Sequence, residues 1–232
     1  HISAIKGGRM AAAFHPARVV SLILSDVVGD DLSSIASGIT APDETTYADV
    51  ERIFRKYAID GKIPRPVREL LQRGLRGDAP DTPGSEDPVF HNVANILLGS
   101  NAQALAGARR VALDRGYNTV VLSSQITGEA REIARFYAGI ARDLRRTGLG
   151  ETALAERPAC VIAGGETTVT LRGSGKGGRN QEMAIAFLGE FFTGNESLQD
   201  VLFLSGATDG NDGPTDAAGG FADAPALAAA RD

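Results

Sequence analysis

The sequence predicts an α/β protein built around a parallel sheet covered by helices, and three observations carry that prediction. Apolar runs of strand length alternate with helical patterns of ten or more residues. The run VVSLILSDVV at 19–28 is apolar and β-branched almost throughout, as in a strand of a buried parallel sheet. Glycine-rich or capped turns separate strand from helix, most conspicuously in the stretch 159–221.

Composition narrows the function. The 232 residues are 43% hydrophobic and 23% charged, enough for a sizeable core and for two domains. A net charge of −5 with no basic segment argues against a nucleic-acid partner. No run approaches the roughly 20 apolar residues of a membrane span, so no membrane partner is expected. The single cysteine, Cys160, lies in the apolar run CVIAG and reads as a small buried hydrophobe; one cysteine forms no internal disulfide, which suits a reducing, cytoplasmic location. Histidines occur only at 1, 15 and 91, which gives a histidine metal site or a Ser-His-Asp triad little support. Both ends fall inside helical patterns, so the chain is expected to be truncated at each.

In chain order, residues 2–14 read as a helix interrupted by Lys6-Gly7-Gly8-Arg9, where either close packing or a nearby ligand explains the bare backbone; Lys6 would reach an anionic substrate. Asp26 stands at the carboxyl end of the 19–28 run, where ligands of open α/β sheets gather, and Asp30 or Asp31 caps the short helix that follows. The turn 38–47 leads into a helix over 49–59 with Val50, Ile53, Phe54 and Tyr57 on one face, and 74–88 reads as an exposed loop. Two β/α units follow at 92–116, with Ser100 or Asn101 capping the helix, and at 118–144, with Gly128-Glu129 opening a long helix. The polar stretch 145–158 is the expected linker.

Everything then converges on residues 159–221. The strand CVIAG leads into Gly164-Gly165-Glu166-Thr167-Thr168, a half-exposed strand TTVTLR, the loop Gly173–Gly178 and a helix over 180–192 with Met183, Phe187, Leu188, Phe191 and Phe192 at amphipathic spacing. The glycines are expected to allow positive φ and to let a ligand approach backbone amides. Lys176 and Arg179 sit near the positive end of that helix, an unfavourable place for cations unless an anion intervenes, so a phosphate or carboxylate is expected there. Gly173-x-Gly175-x-x-Gly178 matches the dinucleotide fingerprint formally, yet the preceding strand alternates and no acidic residue ends the next one; a Walker A loop fails on spacing. Glu166 is a candidate for orienting a hydroxyl, binding metal through water or bonding nearby amides, and the loop 205–220 offers Asp209 and Asp212 for magnesium, with Asp216 satisfying its own turn.

GGETTVTLRGSGKGGRNQEMA with SGATDGNDGPTDAAGG resembles the C-terminal MOFRL domain of the class II glycerate kinases, and SAIKGGRMA, SDVVGDDLSSIASG, ILLGSNAQAL and TGEAREIA resemble the second half of that family's N-terminal domain. The resemblance implies a Rossmann-like parallel-sheet domain over 1–150 followed by a smaller α/β MOFRL domain over 151–232, with the active site in the cleft between two such domains. It implies ATP- and magnesium-dependent phosphoryl transfer to the 2-hydroxyl of D-glycerate, with ATP and D-glycerate as partners and a homodimer as a further expectation. By position it assigns Arg179 to the transferring phosphoryl group, Lys6 to substrate carboxylate or phosphate, Gly164, Gly165, Gly177 and Gly178, with Glu166 and Lys176, to phosphate or nucleotide, and Asp209 to the metal. Hydroxypyruvate reductase, a name some members carry, and a non-catalytic nucleotide- or anion-sensing module are the alternatives.

Overall fold

The computed structural model describes residues 1–146 and 154–232, which group into two compact units, His1–Ser100 and Asn101–Asp232. The expected domain boundary between 150 and 151, and half of the expected linker 145–158, lie outside the described residues.

In the first unit, β1 (Val19–Leu24) pairs in parallel with β2 (Val93–Gly99), Val19 opposite Val93 through Ile23 opposite Leu97. The run that reads as buried throughout instead alternates, with Val20, Leu22 and Leu24 exposed, because the pleat turns successive side chains to opposite faces and only one face is covered among the described residues. The expected helix over 2–14 is confined to α1 (Arg9–Phe14). Gly7 and Gly8 take positive φ, 61° and 74°, and form a turn that a helix cannot contain. The turn is also tightly packed: a Cβ on Gly7 would lie 2.8 Å from Asp43 Oδ2, and one on Gly8 2.6 Å from Phe90.

The capping box at Thr46 and Asp49 starts α2 (Tyr47–Lys56) two residues before the expected position. α3 (Arg65–Leu75), which the reading above did not identify, begins just after Pro64 with a second proline in its first turn, the ordinary signal for a helix start. It packs on α2 through Tyr47, Leu71 and Ala79, joined by Val50, Phe54 and Leu70. A Cβ on Gly74 would fall 2.1 Å from the Tyr47 ring, so that glycine sets the close approach of the two helices. The segment 74–88 is therefore not simply an exposed loop: Ala79 and Thr82 are buried, Thr82 donates to Asp43 Oδ2 at 3.0 Å, and Asp81 accepts from the Tyr47 amide at 2.8 Å.

The second unit holds α4 (Asn101–Asp114), β3 (Asn118–Val121), β4 (Ile126–Glu129), α5 (Ala130–Arg145), β5 (Ala159–Ile162), β6 (Gly165–Thr168), α6 (Arg179–Thr193), β7 (Phe203–Gly206), β8 (Gly219–Ala222) and α7 (Ala224–Arg231). β3 runs parallel to β5 and β4 to β6, while β7 and β8 are antiparallel. β6 ends at Thr168, so the expected strand TTVTLR occupies only its first two positions and the rest is irregular.

α5 and α6 form the centre of this unit. Ala130, Ala134 and Ala138, four residues apart and all 0% exposed, bring one face of α5 close to α6. Beneath lie Phe187, Phe191, Leu198, Ala222 and Leu227, with Phe187 stacked on Phe203 at 4.3 Å. Burial of such side chains contributes about 1.5–3 kcal/mol each. At the rim, Arg131 pairs with Glu182 at 2.7 Å, Arg135 with Glu190 at 3.2 Å and Arg142 with Glu196 at 2.8 Å, and Arg142 also lies 4.9 Å from the Phe191 ring centroid. Exposed ion pairs of this kind are worth about 0–1 kcal/mol each, so they set the helices' register more than their stability. Ala134→Leu should accordingly destabilise the fold by about 1–3 kcal/mol in urea unfolding, through overpacking, whereas Arg135→Ala should change it by less than about 1 kcal/mol.

Candidate functional site

The candidate site lies wholly in the second unit, along a path from the strand ends to the start of α6. β3 and β5 run in the same direction, with Val121 opposite Ile162, so their carboxyl ends stand together. Just beyond them the Gly164 amide donates to Ser123 O at 2.9 Å, and Asn101, opening α4, donates its Nδ2 to Ser124 O at 2.7 Å. A Cβ on Gly164 would lie 2.5 Å from Asn101 Oδ1. Gly165 has φ +156°, and a Cβ there would lie 1.9 Å from Ile126 O, inside the β4–β6 pair. These two glycines, expected to bring backbone amides to a phosphate, are required by Asn101 and by β4, and the Gly164 amide is already bonded.

Glu166 follows on β6, opposite Thr127. Its Oε1 receives Nη1 of Arg179, the first residue of α6, in an ion pair whose side chains are each 41% exposed. Lys176 projects from the exposed stretch 171–177 and has no ion pair among the described residues. In the Gly173–Gly178 loop none of the glycines has positive φ, and a Cβ on Gly175 or Gly177 would meet no atom within 4 Å. The expectation of left-handed backbone in this loop is thus not met. The irregular residues 169–178 between β6 and α6 also differ from the tight strand-to-helix turn that a dinucleotide fingerprint makes.

The second glycine-rich loop locks onto the first. A Cβ on Gly178 would sit 2.3 Å from Asp212 Cγ, and one on Gly213, whose φ is +63°, would sit 2.2 Å from Gly177 O. The Asp212 carboxylate, 2% exposed, occupies the start of α6: Oδ1 accepts from the Asn180 amide at 3.0 Å and its Nδ2 at 2.9 Å, and Oδ2 from the Gln181 amide at 2.8 Å and its Nε2 at 3.0 Å. The anion expected at this helix terminus is therefore a side chain of the protein itself. With four donors on its two oxygens, Asp212 has no lone pair left for the metal-binding part expected of it. Burial alone would push its carboxyl up, but the Asn180 and Gln181 amides and side chains outweigh that and hold it below its ordinary value. Ser205 extends the network by donating to Asn180 Oδ1 at 2.7 Å, and Thr215 by accepting from Gln181 Nε2 at 2.9 Å. Sequence reasoning missed Asn180 and Gln181; their signal was two amide side chains directly after the first helical residue, placed to cap an inward carboxylate.

Asp209 is exposed, and its Oδ1 accepts from the Asn211 amide at 3.0 Å while Oδ2 has no protein partner among the described residues. No group of three or more His, Cys, Asp or Glu side chains suited to a metal ion occurs among the described residues. Cys160 is half-buried, and burial pushes its thiol up, as fits a packing residue. Lys6, exposed at the Gly7-Gly8 turn, and Asp26, exposed two residues past β1, belong to the first unit. Neither Asp30 nor Asp31 caps the short helix Ile35–Ser37, whose N-cap is Ser34 with no side-chain cap; Asp31 instead closes its own turn, accepting from the Ser33 amide at 3.1 Å, and Asp30 has φ 56°.

Because the native pKa of Asp212 lies below its unfolded value of about 4, its contribution is fully present above that value and is lost as pH falls through the native pKa. Asp212→Asn should cost about 2–3 kcal/mol at neutral pH, and the gap between the two proteins in denaturant midpoint should close as pH falls below about 4.

Comparison with known proteins finds two family matches and several relatives. Residues 1–72 match a domain of unknown function (DUF4147), and residues 159–232 match the MOFRL family. The chain is 40% identical to a glycerate kinase of Rattus norvegicus, over 95% of this chain and 47% of that one, and 40% identical to a glycerate 2-kinase of Pyrococcus horikoshii, over 96% and 48%. A crystal structure of glycerate kinase from Thermotoga maritima superposes with a TM-score of 0.75 at 36% identity, covering 96% of this chain and 49% of that one. The chain thus spans about half the length of these relatives. Its N-terminal segment is thus similar to the DUF4147 domain, its C-terminal segment to the MOFRL family, and nearly the whole chain to about half of each of these glycerate kinases.

Proposed function

We propose that this chain is the part of a glycerate 2-kinase that supplies the phosphoryl-stabilising arginine. The observation that carries the reading is Arg179, presented at the start of α6 beside an open glycine loop and balanced by one partly exposed carboxylate, in a chain 37–41% identical to glycerate kinases. In the reaction, the 2-hydroxyl oxygen of D-glycerate attacks the γ-phosphorus of ATP, the bond to the bridging oxygen breaks with its electron pair going to ADP, and the hydroxyl proton passes to water, giving 2-phosphoglycerate and ADP. Charge neutralisation and positioning are most of what such a transfer needs from a protein. Arg179 would bind the equatorial oxygens of the transferring group, and Lys176 on its glycine-containing loop would follow the phosphate chain.

Magnesium held on nucleotide phosphates needs only one or two protein carboxylates, and Asp209 fits, because one of its oxygens has no protein partner among the described residues. When bound, the ion would neutralise phosphate charge; Asp212 is not part of its shell. The unmatched dinucleotide geometry of residues 169–178 is the reason to prefer a kinase over a nicotinamide-dependent hydroxypyruvate reductase. No helix among the described residues is long and apolar enough to cross a membrane. We place the enzyme in the cytoplasm, as a homodimer, with the family's domain division between 150 and 151.

In the full-length protein with ATP, magnesium and D-glycerate, Arg179→Ala should lower kcat by about 10²-fold or more while leaving the far-UV circular dichroism unchanged. Product identification as 2-phosphoglycerate tests the reading itself; NADH consumption with hydroxypyruvate and no ADP formation would replace it.

A further inference from the structure

We propose that Glu166 is the specificity-determining residue of this site, a built-in carboxylate that reserves Arg179 for phosphoryl oxygens and shuts out monocarboxylates, including the carboxylate of the acceptor substrate. The proposal rests on the reading of Arg179 as the phosphoryl-binding group.

Three features carry it. The first is the state of the start of α6. The Asn180 and Gln181 amides are taken by Asp212, so those helix donors offer an incoming anion nothing, and selection falls to the Arg179 guanidinium. The second is that this guanidinium is already engaged by Glu166, with both side chains 41% exposed and so within reach of a ligand. Glu166 stands on β6 in register with β4, directly after a glycine whose backbone admits no side chain against Ile126. A carboxylate fixed in this way competes as if present at an effective concentration on the order of millimolar or higher.

The third feature is the charge arithmetic of the exchange. A free monocarboxylate brings the same charge and the same two-oxygen fork that Glu166 provides, so displacing Glu166 gains it nothing and costs it the freedom it had in solution. A phosphoryl group brings close to two charges and a third oxygen, and Lys176, which has no ion pair among the described residues, supplies a second cation for it. Only the more highly charged ligand outcompetes the tethered one. Glu166 is then released to water, and nothing else in the pair needs to move.

The test is a calorimetric titration of the full-length protein with inorganic phosphate and, separately, with sodium acetate. The wild-type protein is expected to bind phosphate and to ignore millimolar acetate. Glu166→Gln is expected to bind phosphate about 3- to 10-fold more tightly, the worth of an exposed ion pair, and to bind acetate in competition with phosphate. Arg179→Ala should abolish both effects. Glu166→Asp withdraws the carboxylate by one methylene and carries the same expectation, so the question remains answerable if the glutamine variant does not fold. Phosphate affinity that is equal or weaker in the Glu166 variants, or no phosphate binding in any of the proteins, overturns the proposal. The titration involves no turnover, so its failure is distinct from a failure to form 2-phosphoglycerate.

Discussion

The second unit depends on one buried carboxylate. Asp212 replaces the water that would otherwise solvate the first amides of α6, and it does so from inside the loop that joins β7 to β8. Its four hydrogen bonds fix the loop to the helix, and two glycines permit the approach: Gly178 leaves room for the carboxylate and Gly213 lets the chain turn away over Gly177. Replace either by a residue with a Cβ and the carboxylate and the helix start cannot both keep their places. The helix in turn carries the core through Phe187 and Phe191, so a polar contact at one end and an aromatic cluster at the other secure the same element.

That arrangement also explains why Arg179 is tolerable. A cation on the first residue of a helix faces the positive end of the dipole. Here the neighbouring Asp212 charge offsets the dipole, and Glu166 offsets the guanidinium, so the local field is close to neutral before any ligand arrives. Lys176, out on a loop of glycines that touch little, has no ion pair among the described residues. Around Arg179 the charges are thus balanced while Lys176 is not, and the glycines serve the packing of two loops more than the direct approach of a ligand.

How legible this was depends on the distance over which each signal acts. Local signals read true: the amphipathic spacing of Met183, Phe187 and Phe191 located α6 within a residue, and the alternation of strands and helices gave the α/β class with its parallel pairs. The oddity of cations at a helix start correctly called for an anion, but whether that anion came from outside or from 32 residues downstream is a tertiary fact that spacing does not encode. Glycines misled for a related reason. A glycine marks a missing side chain without saying what fills the space; at Gly7 and Gly8 it was a left-handed turn against Asp43 and Phe90, and at Gly74 the Tyr47 ring. α3 is announced by Pro64 and Pro66, but the Gly- and Pro-rich residues that follow it make the whole stretch resemble a loop.

The alanine face of α5 has a consequence for how this protein can be divided. The family match to MOFRL begins at residue 159, yet the surface of α6 that such a segment would present is the one covered by Ala130, Ala134 and Ala138 and bordered by arginines 131, 135 and 142. Inheritance and cohesion therefore follow different borders. A fragment cut at the match would expose an aromatic-lined helix face with orphaned glutamates along its edge, whereas one begun at Asn101 keeps the helix pair whole. The packed unit around α6 is larger than the recurring sequence motif, because the alanine face that covers it lies upstream of the match.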